Sequence, residues 1–567
     1  MNTLERWWPA AALVVALLLL ASLPLGLNGD VQYVLGGLRA HDPGDPLRFV
    51  DTFTHRPIVY RGLMAALMDL LGIVGIHPSD MAVFEASLRL VAGAIAAGTG
   101  AVLWLGLRGR LGRPEAAAIG LACGLLLAVS PNFDFLQPEW FAAVFMALGV
   151  AAGIGARREV VGAVLGGALL TLAVAVKLAT APLAVAGVLL IGLVDRRRAV
   201  LTAVAGLVCG GAWVLLVRAT PHEWRWMKEM ASLNPHSPLR DMLGLTDAIN
   251  AFRVLGSKLA VAPVLIMVPT SLVLLGLTLR GRARWGMPLV LLLVMGLAFS
   301  PLLAQAQWGL YHLAHLPVLG GGLVALAAVR WWRFSARPPW LLLVPMAALA
   351  AWTTVALAAP PEWRERYGLG VMVGLVLVGV LLPLATLALS DVRDGSEPAA
   401  TPEARRSGVA LALASLGAIL VLGPALLPHA AWSLDSTLTP YTNAGWAERS
   451  RNARARLAPL VAEVPAGSSV LYLAYGDVAY HLGLPTNCDY PSPLWIQRAA
   501  FFGYVRSFDS YRDNLRCIAG GGEPYALLQP GWLRPTRIPA PAENLILSTF
   551  DCLAAPESAG VQVCRRR

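Results

Sequence analysis

The chain has 567 residues, is 57% hydrophobic and only 14% charged, and carries a formal net charge of +11. Soluble domains carry roughly 25% charged residues, so this composition excludes an ordinary soluble globular protein. The positive charge comes mostly from Arg set between apolar runs, where membrane-topology signals sit, so nucleic acid is excluded as the partner it implies.

Apolar runs of about 20 residues, each long enough to cross roughly 30 Å of hydrocarbon, recur along the chain. About thirteen spans are predicted, at 9–27, 84–107, 115–130, 140–155, 160–176, 179–194, 199–217, 259–279, 286–302, 316–330, 339–358, 368–389 and 408–428. The first run, PAAALVVALLLLASLPLGL, lacks a convincing small-x-small cleavage site and is read as a retained helix rather than a signal peptide. The connections alternate. RGRLGRP, ARRE, DRRR, RGRARW, RWWRFSAR and DVRDGSEPAATPEARR together hold 17 Arg, whereas NFDFLQPEW, KLAT, AQAQWGLYHLAH and APPEWRERYG hold three Lys or Arg in all. The positive-inside rule puts the first set in the cytoplasm and the second outside, with the N-terminus inside and the C-terminus outside. This organisation predicts a multi-pass protein of the plasma (inner) membrane.

Two longer connections, 28–82 and 218–258, also fall outside. In the first, IVYRGLMAALMDLLGIVGI is apolar but holds Arg61 and Asp69; counting it as a span would reverse every later loop, so it reads as a helix at the outer interface. In the second, TPHEWRWMKEMASLNP interleaves Trp, Arg and Lys, which suits the headgroup region. The membrane part therefore runs over 1–428, and 429–567 forms an extracytoplasmic C-terminal domain of mixed α/β character. There SSVLYLAYG reads as a strand and DVAYHLG as a helix. Cys488, Cys517, Cys552 and Cys564 lie in that domain, and an even number in an oxidising compartment suggests disulfides. Three pairings are open; Cys488–Cys517 with Cys552–Cys564 is the most local. Cys123 and Cys209 lie inside predicted helices and read as small apolar residues. No Walker sequence, dinucleotide fingerprint or zinc-ligand spacing is present.

Ionisable and polar residues gather at the predicted outer face. Asp30 follows the first span, and a carboxylate there suits a general base, although Asp is also common at helix ends. His55, Arg56 and Arg61 share its loop, where the two Arg have Asp51 and Asp69 as alternative partners. Asp134 and Glu139 lie at an outer end, where Glu139 is also an ordinary helix-start acid. Lys177 interrupts LAVAVKLATAP, as a functional cation or as one snorkelling to the interface. Gln305, Gln307, Tyr311, His312 and His315 lie at the mouth of the spans 286–302 and 316–330, beside Trp308. Tyr311 and His315 share a face if the helix has begun there. Charge at membrane depth is costly and usually functional, and one carboxylate among several cations suits the departure of a phosphate.

This arrangement resembles the GT-C superfamily of membrane glycosyltransferases. The resemblance rests on Asp30 in LNGDVQY, matching the acid those enzymes carry soon after their first span, and on the Q-x-x-x-Y-H pattern from Gln307 to His312. The run VLYLAYGDVAYHLGLPTNCDYPSPLWIQR (470–498) is similar to the C-terminal region of actinobacterial envelope arabinofuranosyl- and mannosyltransferases. The resemblance implies a GT-C-like helical membrane fold and an inverting transfer of a sugar, arabinofuranose or mannose, from a polyprenyl-phosphate donor. The acceptor would be an envelope glycan or glycolipid, and the lipid bilayer a further partner. Asp30 would be the base, with His55, Arg56, Arg61, Glu139, Lys177, Gln307, Tyr311, His312 and His315 binding the donor phosphate or substrate. Asp30 is followed by Val31 and Gln32 rather than a second acid, and no metal or other cofactor is expected. Trp495, Phe501, Phe502 and Tyr504 suit stacking on sugars or packing in the core, and the core reading is preferred. The alternative is a transporter or flippase of a lipid-linked precursor, which calls for midplane charge and internal repeats; neither is evident.

Overall fold

A computed structural model describes residues 20–41, 45–233, 245–281, 283–305, 308–335, 339–389, 426–533, 538–552, 557–558 and 560–567. It forms two compact units. The first comprises residues 1–25, 85–212 and 236–446; the second comprises 26–84, 213–235 and 447–567.

The first unit is helical and apolar. Eleven of the predicted spans fall on described residues, and the helices there include Pro138–Gly155, Glu159–Ala175, Ala181–Val194, Ala283–Gln305, Leu316–Ser335, Trp340–Ala358 and Pro361–Leu389. Across the chain, seven described helices are long and apolar enough to cross a membrane, or up to eight if a bent pair counts as one span. The spans expected at 9–27 and 408–428 lie largely outside the described residues. One expectation needs correction. The run 259–279 is not a straight span: helices 246–261 and 263–278 meet at 101°. Pro263 cannot donate to the helix ladder and pushes Ala262 out of the helical region, to φ −130° and ψ 73°.

The second unit gathers three stretches far apart in sequence around one mixed sheet. Its strands are β1 (Val470–Leu473), β2 (Tyr525–Leu528), β3 (Phe550–Asp551), β4 (Glu557–Ser558) and β5 (Val561–Arg566), in the order β1-β2-β5-β3, with β4 also on β5. β1 and β2 run parallel, joined by a helical crossover; the other pairs are antiparallel. Alternate strand residues face opposite sides. Leu471, Leu473, Ala526 and Leu528 meet Phe53, Trp226 and Trp495 on one face, while Tyr472, Leu527, Val561 and Val563 meet Ala40, Leu457 and Leu460 on the other.

Both stretches expected as outer loops thus contribute to this core. The segment PHEWRWMKEMAS is a helix, Pro221–Ser232, whose Trp226 is buried and donates through Nε1 to the Tyr490 hydroxyl at 3.0 Å. Arg225 pairs with Asp513 at 2.6 Å. The interleaved aromatics that suggested a headgroup surface therefore include a core residue. The chain 58–73 is a helix, Ile58–Ile73, with Arg61 buried. Disulfides join Cys488 to Cys517 and Cys552 to Cys564, the most local of the three pairings. Cys123 and Cys209 are free, and Cys123 is buried. Trp495 is core, as preferred, and Phe502 packs partly against the core, but Phe501 and Tyr504 are 53% and 40% exposed.

Candidate functional site

In the second unit, Asp30 begins rather than ends a helix. Asn28 caps Gly29–Ala40 by accepting from the Asp30 amide at 2.8 Å, so Asp30 sits in the first turn, where a carboxylate is favoured. Its side chain is 25% exposed. Arg56 Nη2 donates to Asp30 Oδ2 at 3.1 Å, and the Tyr475 hydroxyl approaches Oδ1 at 3.5 Å, long for a hydrogen bond. Tyr33 meets the His55 ring edge-on at a centroid distance of 4.5 Å and the Tyr475 ring at 5.6 Å. Tyr475 also packs on Trp532 at 5.7 Å. Burial pushes the Tyr33 phenol up to about 12, so it stays protonated.

Close packing puts Tyr475 there. A Cβ on Gly36 would stand 2.5 Å from the Gly476 carbonyl oxygen and 2.6 Å from the Tyr480 amide nitrogen. Only glycine lets the Asp30 helix lie this near the helix Gly476–Leu482, which follows Tyr475 directly.

Arg61, expected to bind phosphate, is engaged otherwise. It is buried, with Nε donating to Phe49 O (2.7 Å), Nη1 to Arg56 O (2.6 Å) and Nη2 to Glu223 Oε2 (2.8 Å) and Val50 O (3.3 Å). Asp69, an alternative partner in the sequence, instead pairs with Arg48.

A second cluster lies in the first unit. Glu139 is in the first turn of Pro138–Gly155, and Lys177 follows the end of Glu159–Ala175 in extended backbone before the 3-10 turn Leu178–Thr180. His312 lies in the 3-10 turn Leu310–Leu313. Lys177 Nζ donates to Glu139 Oε1 at 2.6 Å, His312 Nδ1 lies 2.7 Å from the same oxygen, and Lys177 and His312 are 3.0 Å apart. Gln305 Nε2 lies 3.4 Å from His312 Nδ1. The Tyr311 ring lies tilted at a centroid distance of 4.2 Å from His312 and stands 5.4 Å from Lys177 Nζ. Asp134, on the loop before Glu139, pairs with buried Lys258.

Seven sequence candidates thus fall into local groups: Asp30, His55 and Arg56 in one unit, and Glu139, Lys177, Tyr311 and His312 in the other. The shared-face expectation for Tyr311 and His315 is corrected, because residues 310–313 form a 3-10 turn and the α-helix starts at Leu316. His315 instead bonds the Ala298 carbonyl. Gln307 lies outside the described residues. Sequence reasoning missed Tyr475, Glu223 and Lys258. Lys258 carried the same signal as Lys177, a lone cation in an apolar run (SKLAVAPVL). Glu223 and Tyr475 carried none, since their partners lie far away along the chain. Among the described residues, no group of three or more His, Cys, Asp or Glu side chains is placed to hold a metal ion.

No protein-family model matches the chain, and no curated protein matches it. Among solved structures it is similar to ArnT from Cupriavidus metallidurans bound to undecaprenyl phosphate, at 17% identity and a TM-score of 0.53, covering 99% of this chain and 98% of that one. The apo state of the same protein gives 16% identity and 0.49 with the same coverage. The apo oligosaccharyltransferase of Archaeoglobus fulgidus gives 12% identity and 0.41, covering 93% of this chain and 70% of that one. The first likeness shows a shared fold over nearly the full length of both chains. The chain is thus a helical, multi-pass membrane protein that shares the fold of ArnT and carries a small mixed-sheet unit.

Proposed function

We propose that this chain is an inverting glycosyltransferase that moves a sugar, arabinofuranose or mannose, from a polyprenyl-phosphate donor to an envelope glycan or glycolipid. The observation that carries the reading is the Asp30 carboxylate: partly exposed, fixed at a helix start, and held on one oxygen by Arg56. The fold shared with ArnT, whose structure holds undecaprenyl phosphate, supports the donor class. The two disulfides favour an oxidising compartment for the second unit, and so an extracytoplasmic, outer-face reaction.

Asp30 takes the proton of the acceptor hydroxyl as that oxygen attacks the anomeric carbon. The bond from that carbon to the donor phosphate breaks, the configuration inverts, and polyprenyl phosphate departs with the bonding pair. Phosphate is a stable leaving group, so charge stabilisation and positioning supply most of the rate. Lys177 and His312 are the groups we assign to the donor phosphate, with Tyr311 beside them; in the resting protein Glu139 balances the Lys177 charge and contacts His312 through the same oxygen. Arg61 is assigned a structural part.

The test is transfer by the purified full-length protein in lipid. Radiolabelled polyprenyl-phospho-arabinofuranose, -mannose and -glucose are offered with oligosaccharide acceptors to wild type and Asp30→Asn. Transfer by wild type, with a loss of roughly 10²-fold or more in an equally stable Asp30→Asn, is the expected result. Undiminished transfer by the variant would move the base elsewhere. Absence of transfer from every donor would count against the glycosyltransferase reading and in favour of lipid flipping.

A further inference from the structure

The loop that carries Arg56 is held in an unusual backbone conformation. His55 has φ +50°, and among described residues only His55 and Leu136 are non-glycine positions with positive φ. Such a conformation costs about 1–3 kcal/mol and persists only where the surroundings fix it. One buried ion pair takes part in the fixing here. The Arg61 guanidinium reaches Phe49 and Val50 before the strained residue and the Arg56 carbonyl after it. Glu223 Oε2 neutralises that guanidinium at 2.8 Å, while its Oε1 accepts from the Ile58 amide at 2.8 Å, an N-terminal donor of the helix Ile58–Ile73 that has no partner within its own helix. Both side chains are 1% exposed, and the Trp226 ring lies 5.3 Å from the guanidinium. Glu223 therefore grips the segment 56–58 twice: directly at Ile58, and through Arg61 at Arg56.

We infer that Glu223 is a positioning residue for the Asp30–Arg56 pair, acting through Arg61 and the strained turn at His55. The inference rests on the proposed role of Asp30. Its chemical content is a choice of oxygen. Arg56 occupies Asp30 Oδ2, which leaves Oδ1, the oxygen facing Tyr475, to receive the acceptor's proton. Releasing residues 56–58 releases the guanidinium that makes this distinction. A buried ion pair adds little net stability over apolar packing, so geometric control accounts for the arrangement better than stabilisation does.

The experiment combines two readouts on the full-length protein in lipid nanodiscs, with Glu223→Gln and Glu223→Asp. Hydrogen–deuterium exchange requires no substrate. Faster exchange in Glu223→Gln confined to residues 54–60, with β1 and β2 unchanged, is expected, and partial restoration in Glu223→Asp. Unchanged exchange at 54–60, or loosening that extends through β1 and β2, overturns the inference. With polyprenyl-phospho-sugar donors, kcat falls about 10- to 100-fold in Glu223→Gln, as a misplacement on the order of 1 Å produces, and KM for the donor stays within about 2-fold. A kcat equal to wild type overturns it. If wild type transfers no sugar, the functional reading fails separately, and the exchange result alone decides whether Glu223 positions the loop.

Discussion

The three-body contact at Glu139 gives a sharp expectation. Its Oε1 serves Lys177 Nζ at 2.6 Å and His312 Nδ1 at 2.7 Å, all three side chains buried. Removing one member of a buried pair costs ~3–5 kcal/mol, because the survivor is left uncompensated. Lys177→Met should fall at the low end, since His312 remains on the carboxylate. Glu139→Gln should fall at the high end, since an ammonium and an imidazole then face each other 3.0 Å apart. Independent effects would sum to ~6–10 kcal/mol, whereas the double variant, with neither charge left, should lose no more than ~5 kcal/mol. Thermal melts in nanodiscs measure this. Four of the six cysteines are disulfide-bonded, and the buried thiol of Cys123 lies in the same unit as the pair. In a Cys209→Ser background a thiol-reactive dye then reports the opening of that unit. Sugar transfer should be lost in all three variants, including the double variant whose stability loss stays below the sum of the two. A double variant melting as low as the two losses added together, or a Lys177→Met that melts like wild type, would refute the reasoning.

Acidification should act on the helix Gly476–Leu482 in two opposed ways. Burial, with Arg454 and Arg39 nearby, lowers the His481 imidazole to about 4; burial raises the Asp477 carboxyl to about 6 against the pull of Arg449. From 6.5 down to about 4, protons bind His481 better in the unfolded chain, so stability falls; from about 6 down to roughly 3.9 they bind Asp477 better in the folded chain, so stability rises. Melts at pH 7 and pH 4.5 should therefore show His481→Gln gaining stability on acidification relative to wild type and Asp477→Asn losing it; equal slopes would be inconsistent with both shifts. Gly36→Ala puts a methyl group against backbone that cannot turn aside, and should cost ~1–3 kcal/mol in melting together with most of the transfer activity. Opening Cys488–Cys517, which closes a separation of 29 residues, should cost about 3.6 kcal/mol, against about 2.8 kcal/mol for Cys552–Cys564 with 12, read from denaturant unfolding of paired Cys→Ser variants.

Hydropathy made the helical spans legible, because lipid demands that each segment satisfy its own backbone. The run predicted at 339–358 is the helix Trp340–Ala358, and the run at 140–155 is Pro138–Gly155. The bend at Ala262 was signalled by Pro263 and was outweighed by an unbroken apolar window. In the C-terminal region, VLYL and GDVAYHL appear as strand and helix where expected. What could not be read was assembly. Arg61 and Glu223 are 162 positions apart, and Asp30 and Tyr475 are 445. A lone polar residue announces its type and leaves its partner open. For the same reason Arg61 was grouped with phosphate ligands, and Trp226 with a membrane surface, when each belongs to a folded interior.

The composite second unit also bears on biosynthesis. Its segments are 26–84, 213–235 and 447–567, and β5, at Val561–Arg566, sits between β2 and β3. At roughly 5–20 residues per second, a ribosome needs roughly 25–100 seconds to go from residue 84 to residue 567. For most of that interval the newly made Asp30 helix waits without Tyr475 and Tyr480, and for all of it without the finished sheet. A chain interrupted between residue 389 and β5 would carry Asp30, Arg56 and the described apolar helices, and would still lack the strand that joins β2 to β3. The unit is therefore completed only after Val561–Arg566 has been made.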